Sequence, residues 1–211
     1  MIGHPPYRLP RWAQIFLRRA MLTGPAGENA VYLTFDDGPW PDITPWVLDT
    51  LDRYDARAVF FVTGDQLSQY PGLAREIVRR GHLLGNHTYR HLDAWKTPPA
   101  LYLDDIRRTQ VLIDRIQPDA PRLFRPPYGH YRPAVARRLT DYRIILWSVL
   151  SLDYDRRIRP EKSLQKLKRL IRPGDIVVFH DSPKAQSSLR MLLPALLDEL
   201  HGRGFAFKRM F

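Results

Sequence analysis

The stretch Asn86-His87-Thr88-Tyr89-Arg90-His91 sets two imidazoles four residues apart. That spacing predicts both rings on one face of a helical turn, where they can grip one metal ion. Imidazole is a good zinc ligand, and a catalytic zinc keeps three protein ligands and one open position. The third donor must come from elsewhere in the chain. Asp36 and Asp37, within Thr34-Phe35-Asp36-Asp37-Gly38-Pro39, are the obvious source. Adjacent carboxylates repel each other unless a cation or proton relieves them. With a metal present, one can bind it while the other takes a proton from metal-bound water, whose pKa zinc lowers to about 7. Read singly, the histidines could be surface residues and Asp37-Gly38 an ordinary tight turn.

Three further residues could take part. Arg125 precedes Pro126-Pro127-Tyr128-Gly129, a segment stiffened by two prolines. An arginine there can pair with a catalytic carboxylate and hold its charge. His180 ends the apolar run Ile176-Val177-Val178-Phe179, so it could act as a general acid or be a buried histidine satisfied by the backbone. Asp153 could orient that imidazole.

These residues need a scaffold that brings them together. Strand-like and helix-like segments alternate from residue 31 onward. Val31–Phe35, Ala58–Val62, Leu83–Asn86, Arg122–Arg125, Tyr142–Val149, Asp175–His180 and Phe205–Met210 read as strands. Helices are expected from Thr44-Pro45 to about Tyr54, from Pro71 to Gly81, from Thr97-Pro98 to about Ile116, and over Pro133–Leu139, Pro160–Ile171 and Ser188–His201. About seven such repeats imply a parallel sheet, as a barrel or a doubly wound sheet. The polar candidates all fall at the carboxyl ends of strands, the rim where (β/α) barrels assemble their chemistry.

Composition narrows the classes. The 211 residues suit one domain. With no cysteine there can be no disulfide, thiolate metal site or cysteine nucleophile. The net charge of +11 favours anionic partners or simply solvates helix faces, as at Arg107-Arg108 and Arg137-Arg138. No nucleic-acid recognition motif is present. No stretch reaches the roughly 20 apolar residues of a membrane span. Residues 1–29 form a separate N-terminal segment, expected to be helical, before a catalytic domain over 30–211. In it Trp12, Ile15, Phe16 and Ala20 could make an apolar face that packs on the domain or touches a membrane. Without a recognisable signal peptide, the expected location is cytoplasmic, with peripheral membrane contact.

Taken in order, these motifs resemble the polysaccharide deacetylase family, carbohydrate esterase family four, over roughly residues 30 to 210. The carrying segments are Thr34 to Pro39, His87 to His91, Arg125 to Gly129, Asp153-Tyr154, and Val178-Phe179-His180. The resemblance implies a distorted (β/α)7 barrel and a hydrolase that removes N-acetyl groups from N-acetylglucosamine-containing glycans. It implies a divalent metal, usually zinc, on Asp37, His87 and His91. Asp36 would be the general base, Arg125 its partner, His180 the general acid and Asp153 its tuner. The Tyr128 amide would help bind the oxyanion, and Pro127, Tyr154 and Val178 would shape the acetyl pocket. Three positions depart from the family pattern: Leu150 stands where an aspartate is usual, Val178, mildly, where leucine is commoner, and Tyr154 where a tryptophan is usual, so that the pocket is expected to differ in size. The alternatives are an O-acetyl esterase of the xylan type, a cyclic-amide hydrolase on the same scaffold, and an inactive glycan-binding module.

Overall fold

The computed structural model describes residues 5–9, 17, 19–25 and 27–211. Among these, nine strands form one sheet: β1 (Ala20–Met21), β2 (Ala30–Asp36), β3 (Ala58–Val62), β4 (Leu83–Asn86), β5 (Leu123–Phe124), β6 (Arg143–Ile145), β7 (Val149–Leu150), β8 (Ile176–His180) and β9 (Ala206–Phe207). Their order is β1-β6-β5-β4-β3-β2-β8-β7, with β9 beside β2 off that path. All these pairings are parallel. The central strands β2, β3 and β8 are continuous runs rich in branched and aromatic residues, as expected of strands covered on both faces.

Strand parity divides the core. Val31, Leu33 and Phe35 of β2 pack with Val47, Leu48 and Leu51 of helix α1 (Thr44–Asp52) and with the leucines of the C-terminal helix Gln186–Gly202. Phe35 stacks on Phe60 and Phe179, with ring centroids 4.9 and 5.8 Å away. The alternate residues Ala30 and Tyr32 meet Val59, Phe61 and Ile176 inside the barrel. By the same period of two, Thr34 and Asp36 on β2 and Val178 and His180 on β8 face inward. The register then sets Asp36 directly beside His180.

The sheet curls until its ends nearly meet. Strands β6 and β7 are separated only by Leu146, Trp147 and Ser148, yet β7 lies at one end of the sheet and β6 next to the other. Leu146 N–H donates to Met21 O on β1, and Ser148 N–H donates to Ile176 O on β8. Four peptide steps reach at most about 14 Å. Among the described residues the ladder itself does not close, which makes this a distorted (β/α)7 barrel, as expected.

Among the described residues the other α-helices are α2 (Gly64–Gln69), α3 (Pro71–Arg79), α4 (Pro99–Asp114), α5 (Pro133–Ala136) and α6 (Pro160–Leu170), so Gln186–Gly202 is α7. Several expectations are corrected. Tyr142–Val149 is not one strand, because the chain must cross the barrel opening at Leu146–Ser148. The last strand shrinks to Ala206–Phe207, since only Ala30 and Val31 pair with it. Helix α2 was not foreseen: its Gly64 is a poor helix former, and the Gly64 N–H and Asp65 N–H are held by the carbonyls of Thr88 and Tyr89. Ala20, expected on a helical face, lies in β1 beside Ile144. Trp12, Ile15 and Phe16 lie outside the described residues. No described helix is long and apolar enough to cross a membrane.

Candidate active site and metal centre

The expected helical turn at His87–His91 is a loop instead. Thr88 and His91 take left-handed backbone, with φ of 64° and 54°. Side chains replace the helical hydrogen bonds. Asn86 Oδ1 accepts Thr88 N–H, the fully buried Asp105 on α4 accepts both Tyr89 N–H and Arg90 N–H at 2.8 and 2.9 Å, and Thr88 Oγ1 accepts Leu92 N–H. The two rings still converge, with centroids 5.0 Å apart. Asp105, the second of the adjacent pair Asp104-Asp105, was not singled out, because acidic residues on a helix are mostly exposed.

His87 Nδ1 lies 2.8 Å from the Arg125 carbonyl oxygen. A carbonyl only accepts, so Nδ1 carries the hydrogen and Nε2 keeps its lone pair. Burial pulls the His87 pKa down to about 4, which also keeps the ring neutral and able to ligate. Asp37, turned out of β2 by a φ of 78°, faces this nitrogen. Its Oδ1 is 3.7 Å from His87 Nε2 and 3.3 Å from His91 Nε2. Asp37 Oδ1 is buried and has no hydrogen-bond partner. Burial acts to raise the Asp37 pKa, but His91, His180 and His87 outweigh it and hold the carboxyl well below the usual range. One ligand atom from each of Asp37, His87 and His91 fits within 4.8 Å of the others. An ionised carboxylate oxygen facing the His87 lone pair and the His91 ring suits a divalent metal.

Asp36 and Arg125 lie beneath this cluster. Arg125 is fully buried yet spends its donors well: Nη1 donates to Asp36 Oδ1 (2.7 Å) and Thr34 Oγ1 (2.8 Å), Nη2 to Leu146 O and Nε to Ile145 O. Its guanidinium also sits 4.1 Å over the Phe61 ring. The other oxygen of Asp36 is 3.9 Å from His87 Nε2. On the neighbouring strand, His180 Nδ1 lies 2.7 Å from Asp153 Oδ1 and His180 N–H donates to Asp153 Oδ2. That fixes the ring and leaves Nε2 for the pocket. Burial alone would lower the His180 pKa, but Asp153, Asp37 and Asp36 together raise it to about 9.

These groups surround a cavity of about 190 Å³. Tyr128, Tyr154 and Val178 line it; Pro127 does not, whereas its neighbour Pro126 does. Arg125 and Asp153 stand behind the wall. Trp147, Lys184 and Pro5 line it without having been singled out, and Leu150, noted for its departure from the family pattern, lines it as well. Trp147 had a signal, a large aromatic just past a strand end. Gly129 makes room for it: at φ 67°, a Cβ there would lie 2.4 Å from the indole. Pro5 had none, since it arrives by the pairing of Tyr7 and Leu9 with Leu150 and Ser148. The cavity opens at Asp37, His91 and Lys184 into a wider groove flanked by Trp40 and Tyr89.

The structure thus sets a candidate metal site, Asp37, His87 and His91, on the rim of a curled parallel barrel. The chain belongs to the polysaccharide deacetylase family, whose family model matches residues 23–145. Asp153 and His180 lie beyond that match. Two Bacillus cereus peptidoglycan-N-acetylglucosamine deacetylases are similar to this chain. One is 33% identical over 87% of this chain and 87% of the relative. The other is 31% identical over 76% of this chain but only 59% of the relative's length. Among solved structures, the Bc1960 peptidoglycan N-acetylglucosamine deacetylase superposes with a TM-score of 0.87 at 27% identity, covering 95% of this chain and 96% of that one.

Proposed function

We propose that this protein removes N-acetyl groups from N-acetylglucosamine-containing glycans, with zinc on Asp37, His87 and His91. One observation carries the reading: a carboxylate and an imidazole, Asp36 and His180, are paired across β2 and β8 and flank the three candidate ligands. Two groups with opposite proton tasks beside one small pocket are what amide hydrolysis needs.

A bound zinc would polarise the acetyl carbonyl and lower the pKa of a water. Asp36 is placed to take the proton from the water whose oxygen attacks the carbonyl carbon. Arg125 Nη1 donates to Asp36 Oδ1 and holds the carboxylate in position. The Tyr128 amide, on the pocket wall, serves as a donor to the developing oxyanion. His180 Nε2 gives its proton to the sugar nitrogen, the carbon–nitrogen bond breaks, and acetate and a free amine result. Tyr154 packs edge-on to His180 at 4.8 Å and, with Val178, encloses the acetyl methyl. The small cavity suits an acetyl group, and the open groove suits a chain of sugars.

Acetate release from N-acetylglucosamine oligomers tests this. Metal-stripped protein should be inactive, and added Zn²⁺ should restore turnover. Release from acetylated xylan or opening of cyclic amides instead would move the activity to the alternative hydrolases. Tight zinc binding with no turnover on any of these would leave a glycan-binding module.

The pH profile gives a second test. His180 acts as an acid only while protonated, so kcat/KM should fall as pH rises through its pKa. Its raised value sets that limb on the alkaline side. A dication beside Asp37 would cancel the part due to Asp36 and Asp37 and leave the part due to Asp153. Asp153→Asn should therefore shift the alkaline limb to lower pH. An unmoved limb would rule out His180 as the titrating acid.

A further inference from the structure

Trp95 is 63% exposed, although a tryptophan ordinarily buries its large apolar face. It is nevertheless held in place. Its indole stacks on His130, with centroids 3.6 Å apart and planes within 8°, and its Nε1–H donates to Tyr131 O. His130 is itself fixed by Asp93 Oδ1, 2.6 Å from Nδ1. Arg132 Nη1 donates to both Ala94 O and Thr97 O, which locks the tryptophan's loop to the loop after Arg125. The protein spends several polar contacts on keeping one indole rigid and uncovered.

The position of that indole connects it to the pocket. The Tyr128 ring, 62% exposed, packs edge-on to His91 at 4.7 Å and lies 5.5 Å from His130. His91, Tyr128, His130 and Trp95 thus form an unbroken run of rings leading away from the candidate metal. Tyr128 lines the small cavity but not the groove near Trp40, so the run leaves the pocket by a different side.

We propose that Trp95, propped by His130, is a platform for a pyranose ring of the glycan, beyond the sugar whose acetyl group enters the pocket. This rests on the deacetylase reading and adds a second point of contact to it. The face of an aromatic ring carries negative charge density, and the axial C–H bonds of a pyranose present a weakly positive, apolar face that matches it. A rigid indole loses little entropy when a sugar covers it. The continuity of the ring run with the catalytic pocket favours the same glycan chain as occupant over a lipid or a second copy of the protein.

The test compares acetate release from an N-acetylglucosamine tetramer and dimer. In Trp95→Ala the ratio of kcat/KM for tetramer over dimer should fall roughly tenfold, the loss of about one aromatic contact, and mainly through KM. Trp95→Phe should restore part of the ratio, and His130→Ala should lower it by removing the prop. A ratio unchanged in Trp95→Ala overturns the platform. So does a wild-type dimer in solution that Trp95→Ala converts to monomer, which would make the indole a subunit contact. If the protein releases no acetate from either glycan, the deacetylase reading fails separately. The Trp95 indole N–H resonance then decides: a saturable shift on adding the tetramer upholds the platform, and no shift overturns it.

Discussion

Replacing Asp36 with Asn is expected to lower kcat by about 10²–10⁴-fold, the usual contribution of a positioned general base. Bound zinc should be unchanged. Asparagine keeps nearly the same shape, and its Oδ1 can still accept from Arg125 Nη1, which lies 2.7 Å from the carboxylate. What it loses is the ability to take a proton. The candidate ligands Asp37, His87 and His91 are untouched, so metal content separates the two aspartates. Asp36→Asn with zinc retained and near-wild-type kcat would remove Asp36 as the base. Loss of zinc along with activity would make it a ligand instead. Because the variant leaves Arg125 without its counter-charge, stability will also fall somewhat, and rates should be compared well below the melting temperature.

Arg125→Met should destabilise the fold by about 3–5 kcal/mol, as expected when one partner of a buried ion pair is removed. In a domain of this size that is a drop in Tm on the order of 10 °C. The guanidinium is fully buried and joins four otherwise separate groups: Asp36, Thr34, and the carbonyls of Ile145 and Leu146. Methionine fills much of the volume but donates to none of them, leaving an uncompensated carboxylate in the barrel. The double variant Arg125→Met with Asp36→Asn should recover part of the loss, since no buried charge then lacks a partner. Thermal unfolding of the two single variants and the double reads this directly. A Tm for Arg125→Met within a couple of degrees of wild type would show that the pair contributes little to folding. Activity should be lost in the double variant however much stability returns, because the base is gone.

The candidate groups and the class of scaffold were legible in the sequence. Residue types at strand ends, Asp36-Asp37, His87, Arg125 and His180, are local facts, and alternating strand and helix patterns imply a parallel sheet whatever the details. Period-two alternation likewise fixes that Thr34 and Asp36 share one face of β2. The tertiary structure alone decided how these groups meet. Arg125 reaches Asp36 across 89 residues, and Asp153 reaches His180 across 27, by strand order that no local pattern encodes. The histidine pair was expected on a helical turn because i and i+4 spacing suits one. It sits instead on a loop whose N–H groups are held by Asn86 and by Asp105 on α4, a residue the sequence did not single out. Pro5 and Trp147 reach the pocket wall because the chain must bridge the barrel's opening between β6 and β7, where the N-terminal segment pairs with Ser148 and Leu150. Local propensity and pattern act over a few residues, and burial of apolar strands selects the fold. Which side chains share a hydrogen bond is set by the register of strands distant in sequence, and that emerges only when the sheet has curled.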